Sequence, residues 1–268
     1  MNLILLDQVL FFHLAHPRPG FRCSICSLAK GVSSLSCFET TTRYRTLRLL
    51  GEGCGGTVFL ARDLQRRARV AIKVATPEKI HHEASVLQLL HEASLPVPAV
   101  LDTLELEENQ SALVMEYIAG TSLEKALKAP LSSSLAISLA EQLLQGIASL
   151  HQHQFVHGDI HSRNILLHRS KIWLIDFEQA RRVTTTSHAF GHSPFWYDCY
   201  QLFTILQCFL PRLPHPLQAW NVQAGALLAT PDLQAGALLD LWRSCKAAAA
   251  RKRNLAAFLP MFIQKQSR

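Results

Sequence analysis

Four short segments, in a fixed order, constrain this chain more than anything else in it. A glycine-rich turn, Gly51-Glu52-Gly53-Cys54-Gly55-Gly56-Thr57-Val58, is followed by Val70-Ala71-Ile72-Lys73. Far downstream comes His157-Gly158-Asp159-Ile160-His161-Ser162-Arg163-Asn164, and then a hydrophobic run that closes on Asp176. Residues without a Cβ let backbone N–H groups approach phosphate oxygens closely, which suits Gly51, Gly53, Gly55 and Gly56 to an anion cradle. The β-rich runs Tyr44–Leu50 and Thr57–Arg62 place that turn between two strands. A dinucleotide-binding turn instead leads from a strand into a helix, so that reading is excluded.

The order and spacing of these segments resemble the protein-kinase superfamily. The resemblance implies an α+β, bilobal fold, with a five-stranded N-lobe and a shortened helical C-lobe. It covers about residues 44–242, firmly to 180 and loosely beyond. It implies ATP and Mg²⁺ as cofactors. The glycine loop with Glu52 would cover the phosphates, Val58 and Ala71 would roof the adenine, and Leu166 would form its floor. Lys73 would bind phosphate and pair with a helix glutamate. Glu83 fits by its spacing to Leu87 and Leu90, and Glu78 is the rival, because the interval from Lys73 to Glu83 is short for the family. Met115 would gate the back pocket, with backbone groups of Glu116 and Ile118 on the adenine edge. Asp159 would be the base or positioner for the acceptor hydroxyl, and Asn164 and Asp176 the metal ligands. The catalytic set is then Lys73, Asp159, Asn164 and Asp176.

Three departures qualify the resemblance. Gly158 stands where the family carries arginine, His161 where it carries lysine, and Glu178 ends the metal tripeptide where it carries glycine. H-G-D-x-H-x-x-N resembles RIO-type kinases and aminoglycoside phosphotransferases, and W-L-I-D-F-E-Q-A resembles lipopolysaccharide-core sugar kinases. No A-P-E motif lies between Asp176 and Asp198, whose D-C-Y-Q-L resembles the buried aspartate of the lobe's central helix. Without the arginine, activity should not depend on phosphorylation of that stretch. The complete N-lobe motifs weigh toward an ATP-dependent serine/threonine protein kinase. The short C-lobe leaves a small-molecule kinase as the alternative, and a pseudokinase binding module as a third.

Strand patterns continue at Val70–Ala75, Leu101–Leu106 and Ala112–Tyr117, with one helix from Pro77 through His91. Helical spacing follows at Ser122–Lys128 and Ser132–His153, then short strands at Ile165–Leu167 and Ile172–Ile175, and helices beyond Asp198. The repeated Q-A-G-A-L-L at Gln223–Leu228 and Gln234–Leu239 reads as two helical segments parted by Pro231. The domain reading is an extension over 1–40 and a kinase-like domain over 41–268. Its N-lobe runs over 41–118, its C-lobe over 119–242 and a basic tail over 243–268.

Composition adds bounds. Hydrophobic content of 49% with 18% charged residues describes a globular chain. Arg243, Lys246, Arg251, Lys252, Arg253, Lys265 and Arg268, with no acid among 241–268, account for the net charge of +7. The tail could meet an acidic surface weakly, but a solvated basic helix end is the plainer reading, and no specific nucleic-acid partner is expected. Seven scattered cysteines do not form a disulfide framework, so a reducing, cytoplasmic setting is expected. Met1–Ala15 is too short for a membrane span and lacks the basic start of a signal peptide. His13, His16, Cys23 and Cys26 have a spacing that zinc permits, yet the expectation is a leader without stoichiometric metal.

Overall fold

The computed structural model describes residues 43–184 and 191–265, with side chains through residue 251 except that of Pro216. The extension with His13, His16, Cys23 and Cys26 lies outside the described residues, as do the hydroxyl-bearing Thr185, Thr186 and Ser187.

Five antiparallel strands make the first layer: β1 (Tyr44–Gly53), β2 (Gly56–Asp63), β3 (Ala68–Ala75), β4 (Val100–Glu105) and β5 (Ser111–Glu116), in the order β1-β2-β3-β5-β4. One face gathers Tyr44, Phe59, Ala61, Val70, Ile72, Val74, Ala112 and Val114 into a cluster of its own. The other face sends Ala71, Leu113 and Met115 into the main core. Over Val70–Ala75 and Ala112–Met115 every residue is buried, so these stretches, Lys73 apart, are apolar on both faces.

Helix α1 (Pro77–Glu92) crosses the inner face of the sheet. Pro77 suits its first turn, where a missing N–H costs nothing, and Glu78 favours the positive helix start. Ile80, Glu83, Ala84, Leu87 and Leu90 form its buried stripe, so Glu83 is a carboxylate set among core positions.

The second layer is helical. It contains α2 (Leu123–Ala126), α3 (Ser133–Gln152), α4 (Pro194–Gln207), α5 (His215–Leu227) and α6 (Ala235–Lys265). The helix expected over Ser122–Lys128 is a single turn. Lys128 N–H and Ala129 N–H return to the carbonyls three residues back, at 3.2 Å each, and Pro130 disfavours a helical Ala129. Buried Leu139, Leu143, Ile147 and Leu150 run along α3, whose start is capped by Ser132 Oγ accepting from Leu135 N–H. The Q-A-G-A-L-L copies end α5 and begin α6, and Trp220 and Trp242 meet edge-on at 5.7 Å to lock those helices together. No helix among the described residues is long and apolar enough to cross a membrane.

Short strands join the layers: β6 (Thr121–Ser122), β7 (Phe155–Val156), β8 (Ile165–His168), β9 (Lys171–Leu174) and β10 (Arg181–Arg182). The β8–β9 hairpin turns on Arg169 and Ser170, both at positive φ (48° and 62°), as a two-residue turn of matching twist requires.

Candidate functional site

Lys73 lies on the core-facing side of β3, beside Val58 on β2 and Leu113 on β5, and its side chain is 5% exposed. A buried ammonium is stable only when paired. Lys73 Nζ donates to Glu83 Oε2 at 2.7 Å and Asp176 Oδ1 at 2.8 Å, and lies 3.4 Å from Glu178 Oε2. Burial works to lower the Lys73 pKa, but the charges of Glu83 and Asp176 overcome it, and the net shift is upward. Burial pushes the Glu83 carboxyl up while Lys73 pulls it back, and with an ammonium at 2.7 Å the pair is ionised. The second oxygen of Glu83 accepts from Phe177 N–H at 3.1 Å, so Glu83 ties α1 and β3 to the segment carrying Asp176. Glu78 is exposed at the start of α1 and does not reach Lys73.

Asp176 sits at φ 66°, a left-handed conformation that turns its carboxylate back toward Lys73. Glu178 lies beneath the glycine turn. A Cβ at Gly55 would fall 2.1 Å from Glu178 Oε2, so Gly55 leaves room for that carboxylate. Lys79 completes the closure, donating to Cys54 O at 2.8 Å and pairing with Glu178 Oε1 at 2.6 Å. Gly56, at φ 123°, lies against the Val74 carbonyl, whereas a Cβ at Gly51 or Gly53 would meet open space. Glu52 is exposed beside Thr57. The sequence did not signal that Glu178 would bridge two lysines under the turn. The departure at the third tripeptide position was the available clue.

The loop carrying Asp159 is fastened from behind. Asp198, fully buried on α4, accepts from His157 N–H at 2.7 Å, Gly158 N–H at 2.9 Å and His151 Nε2 at 3.2 Å. One turn later, Gln201 accepts from Ile160 N–H at 2.8 Å. Sequence reading singled out Asp198 but missed His151 and Gln201. The D-x-x-Q spacing on one helix face is the signal that could have found Gln201.

Asn164 Nδ2 donates to the Asp159 carbonyl at 3.1 Å and lies 3.4 Å from its carboxylate. His161 Nδ1 accepts from Arg163 and Asn164 N–H at 3.3 Å each, which places its proton on Nε2, 3.5 Å from Asp159 Oδ2. The hydrogen bond from His161 holds the Asp159 carboxyl below the ordinary aspartate range despite partial burial. Asp159 is therefore an ionised, half-buried acceptor at neutral pH. Asp176 and Asn164 offer oxygen atoms of the kind hard cations take.

On the same sheet face as Lys73, Ala71 pairs with Met115 and Leu60, and Val58 pairs with Gly51. Leu166 lies on β8, opposite Trp173. Glu116 N–H donates to Ala99 O at 2.9 Å, and the Ile118 carbonyl accepts from Gly120 N–H at 2.7 Å.

His157 is buried against Phe177, ring centroids 4.6 Å apart. Burial lowers its pKa below the ordinary 6.5, against the opposing charges of Asp198, Asp159 and Asp176. The folded ring stays neutral while the unfolded chain takes up a proton, so its contribution is full above about pH 6.5 and is lost as pH falls. His157→Phe should give a melting temperature that falls less between about pH 7 and about pH 5.5 than that of the parent. Parallel acid limbs in calorimetry would sink this assignment.

A family model described as the protein kinase domain matches residues 44–198. The serine/threonine-protein kinase PrkC of Bacillus subtilis (strain 168) is 33% identical over 154 residues, 54% of this chain and 24% of PrkC. The probable serine/threonine-protein kinase YbdM of the same organism is 29% identical over 152 residues, 53% of this chain and 59% of YbdM. The serine/threonine-protein kinase TAO1-A of Xenopus laevis is 31% identical over 162 residues, 57% of this chain and 16% of the relative. The chain spans less than two thirds of the length of each of these relatives.

Proposed function

Because this chain belongs to the protein kinase family, whose model matches residues 44–198, we propose that it is a serine/threonine protein kinase using Mg²⁺-bound ATP. The observation that carries the reading is the convergence of Glu83 and Asp176 on Lys73 Nζ, at 2.7 and 2.8 Å, from three separate segments. A buried ammonium so held is a preorganised phosphate ligand. The surroundings fit a triphosphate with its metal. A Cβ at Gly51 or Gly53 would meet nothing within 4 Å, the Glu178 carboxylate holds the anion position beneath Gly55, and Asp176 and Asn164 carry hard oxygen donors.

Mg²⁺-ATP would supply the phosphoryl group and neutralise the charge that moves with it. The chain's own residues do the rest. Lys73 stays charged and fixed by Glu83. Asp159, ionised and steadied by Asn164 and His161, orients the acceptor hydroxyl and takes its proton. Val58, Ala71, Met115 and Leu166 offer an apolar slot for the base, with Glu116 and Ile118 at its edge.

The second reading is a small-molecule kinase of the lipopolysaccharide-core sugar or aminoglycoside type. Gly158 favours it, since a Cβ there would lie 2.8 Å from the Gln179 carbonyl, so glycine is built into this loop. The N-lobe weighs more, because its glycine turn, Lys73 and Glu83 form the complete protein-kinase set. We place the functional unit at 41–268, with 1–40 as an extension, and assign it to the cytoplasm on the odd, scattered set of seven cysteines. Incubation with radiolabelled Mg²⁺-ATP should put label on serine or threonine of the chain itself or of a protein. Label appearing only on added sugars or aminoglycosides would replace this reading with the second.

A further inference from the structure

The first three strands carry a row of like charges that the phosphotransfer reading does not use. In the β1–β2 register Arg45 faces Arg62, and in the β2–β3 register Arg62 faces Arg69. Directly opposed residues in an antiparallel sheet share a face, so three arginines spring from one face at strand spacing, about 4.8 Å per step. All three are exposed, and none has an ion-pair partner among the described residues. Like charges directly opposite one another destabilise a sheet. Here that cost is incurred twice in one row.

The neighbouring acids do not relieve it. Asp63 projects from the opposite face and is held by Arg43 Nη2 at 2.8 Å and by the N–H groups of Gln65 and Arg66. Asp102 accepts from Arg43 Nη1 at 3.0 Å and Tyr44 Oη at 2.9 Å. The turn that follows β2 adds Arg66 and Arg67, the latter at φ 53°.

We propose that this arginine row is a docking strip for an extended acidic segment of a protein partner, its anions being carboxylates or phosphates. Arginine at every position suits such anions, because each planar guanidinium can bond an oxyanion with two N–H groups. Along β3, residues 69, 71 and 73 share a face, so the strip lies on the side of the sheet that carries Lys73. An extended acidic chain can follow a row at strand spacing, one anion to each arginine. Single-stranded nucleic acid needs bare aromatic faces to stack on. The ring that adjoins the strip, Tyr117, is already covered by Arg69 at 5.3 Å. The inference does not depend on phosphotransfer, and its test reads binding alone.

The test uses the full chain and fluorescence anisotropy of labelled peptides of one length: glutamate-rich, phosphoserine-containing and a glutamine control. The acidic peptides should bind, more weakly as salt rises, and the control should not. Replacing Arg45, Arg62 and Arg69 together by glutamine should weaken that binding at least ~10-fold, as loss of several charge-assisted bonds implies. Arg243→Gln/Arg251→Gln, in the basic tail, should leave it unchanged. Which acidic peptide binds tighter tells carboxylate from phosphate. Arg62→Gln alone should melt no lower than the parent, since it removes both like-charge contacts. Should the triple variant not fold, Arg62→Glu takes its place, with the same loss expected. Failure of both acidic peptides to bind, or equal binding by the arginine variants, would overturn the proposal. So would tighter arginine-dependent binding of phosphatidylserine vesicles or of oligo-dT.

Discussion

Asp159→Asn is expected to lower turnover at least ~10²-fold while leaving nucleotide binding close to that of the parent. The carboxylate stands apart from the Lys73 cluster. Its contacts are Asn164 Nδ2 at 3.4 Å and His161 Nε2 at 3.5 Å, whereas Lys73 is held by Glu83 and Asp176. Asparagine keeps the size and one acceptor oxygen but cannot take a proton, so the loss falls on the transfer step. Asp176→Asn differs, because it removes a charge bonded to Lys73 at 2.8 Å, and should weaken binding and turnover together. Single-turnover kinetics with nucleotide titration separates the two. Parent-like phosphotransfer in the Asp159 variant would remove Asp159 from the centre of the proposed reaction.

Much of this arrangement was legible because its motifs are local in sequence. The glycine turn, Val70–Lys73 and the Asp159–Asn164 loop each carry their constraint within eight residues or fewer, and hydrophobic periodicity located α1 and α3. The single turn at Leu123–Ala126 departs from the expected helix because Pro130 acts on the residue before it, which periodicity does not register. What the sequence hid was long-range pairing of polar groups. Glu83 and Glu78 share one helix and differ by burial alone, which is fixed only when α1 docks on the sheet. Asp198 could be singled out from its motif, but its grip on the backbone of His157 and Gly158 spans about forty residues. The arginine row was invisible for a related reason. Arg45, Arg62 and Arg69 become neighbours only through strand register, and a one-residue slip would scatter them to opposite faces.

Gly158→Arg, which restores the residue the family usually carries, should be among the most damaging single changes to this domain. Gly158 sits at φ 80°, where a side chain costs about 1–3 kcal/mol. A Cβ there would lie 2.8 Å from the Gln179 carbonyl oxygen and 3.3 Å from the Gln179 Cβ, and the first obstacle is backbone that no rotamer change can clear. The strain would pass directly to the site. Gly158 N–H donates to Asp198 at 2.9 Å, and the adjacent residue is Asp159. Displacing Gly158 therefore loosens a buried carboxylate and misplaces the proposed base in one step. The expected result is a melting temperature lower by roughly 4–12 °C, from about 2–3 kcal/mol at the scale for domains of this size. Turnover should fall with it. Gly158→Ala should show most of the same thermal loss, because the penalty arises at Cβ and not at the guanidinium. The arginine would bring no control by phosphorylation, since the loop that should present it is distorted by its own Cβ. A Gly158→Arg protein that melts with the parent, or that becomes active only once phosphorylated between Phe177 and Asp198, would show that the glycine is incidental and the Gln179 contact yields.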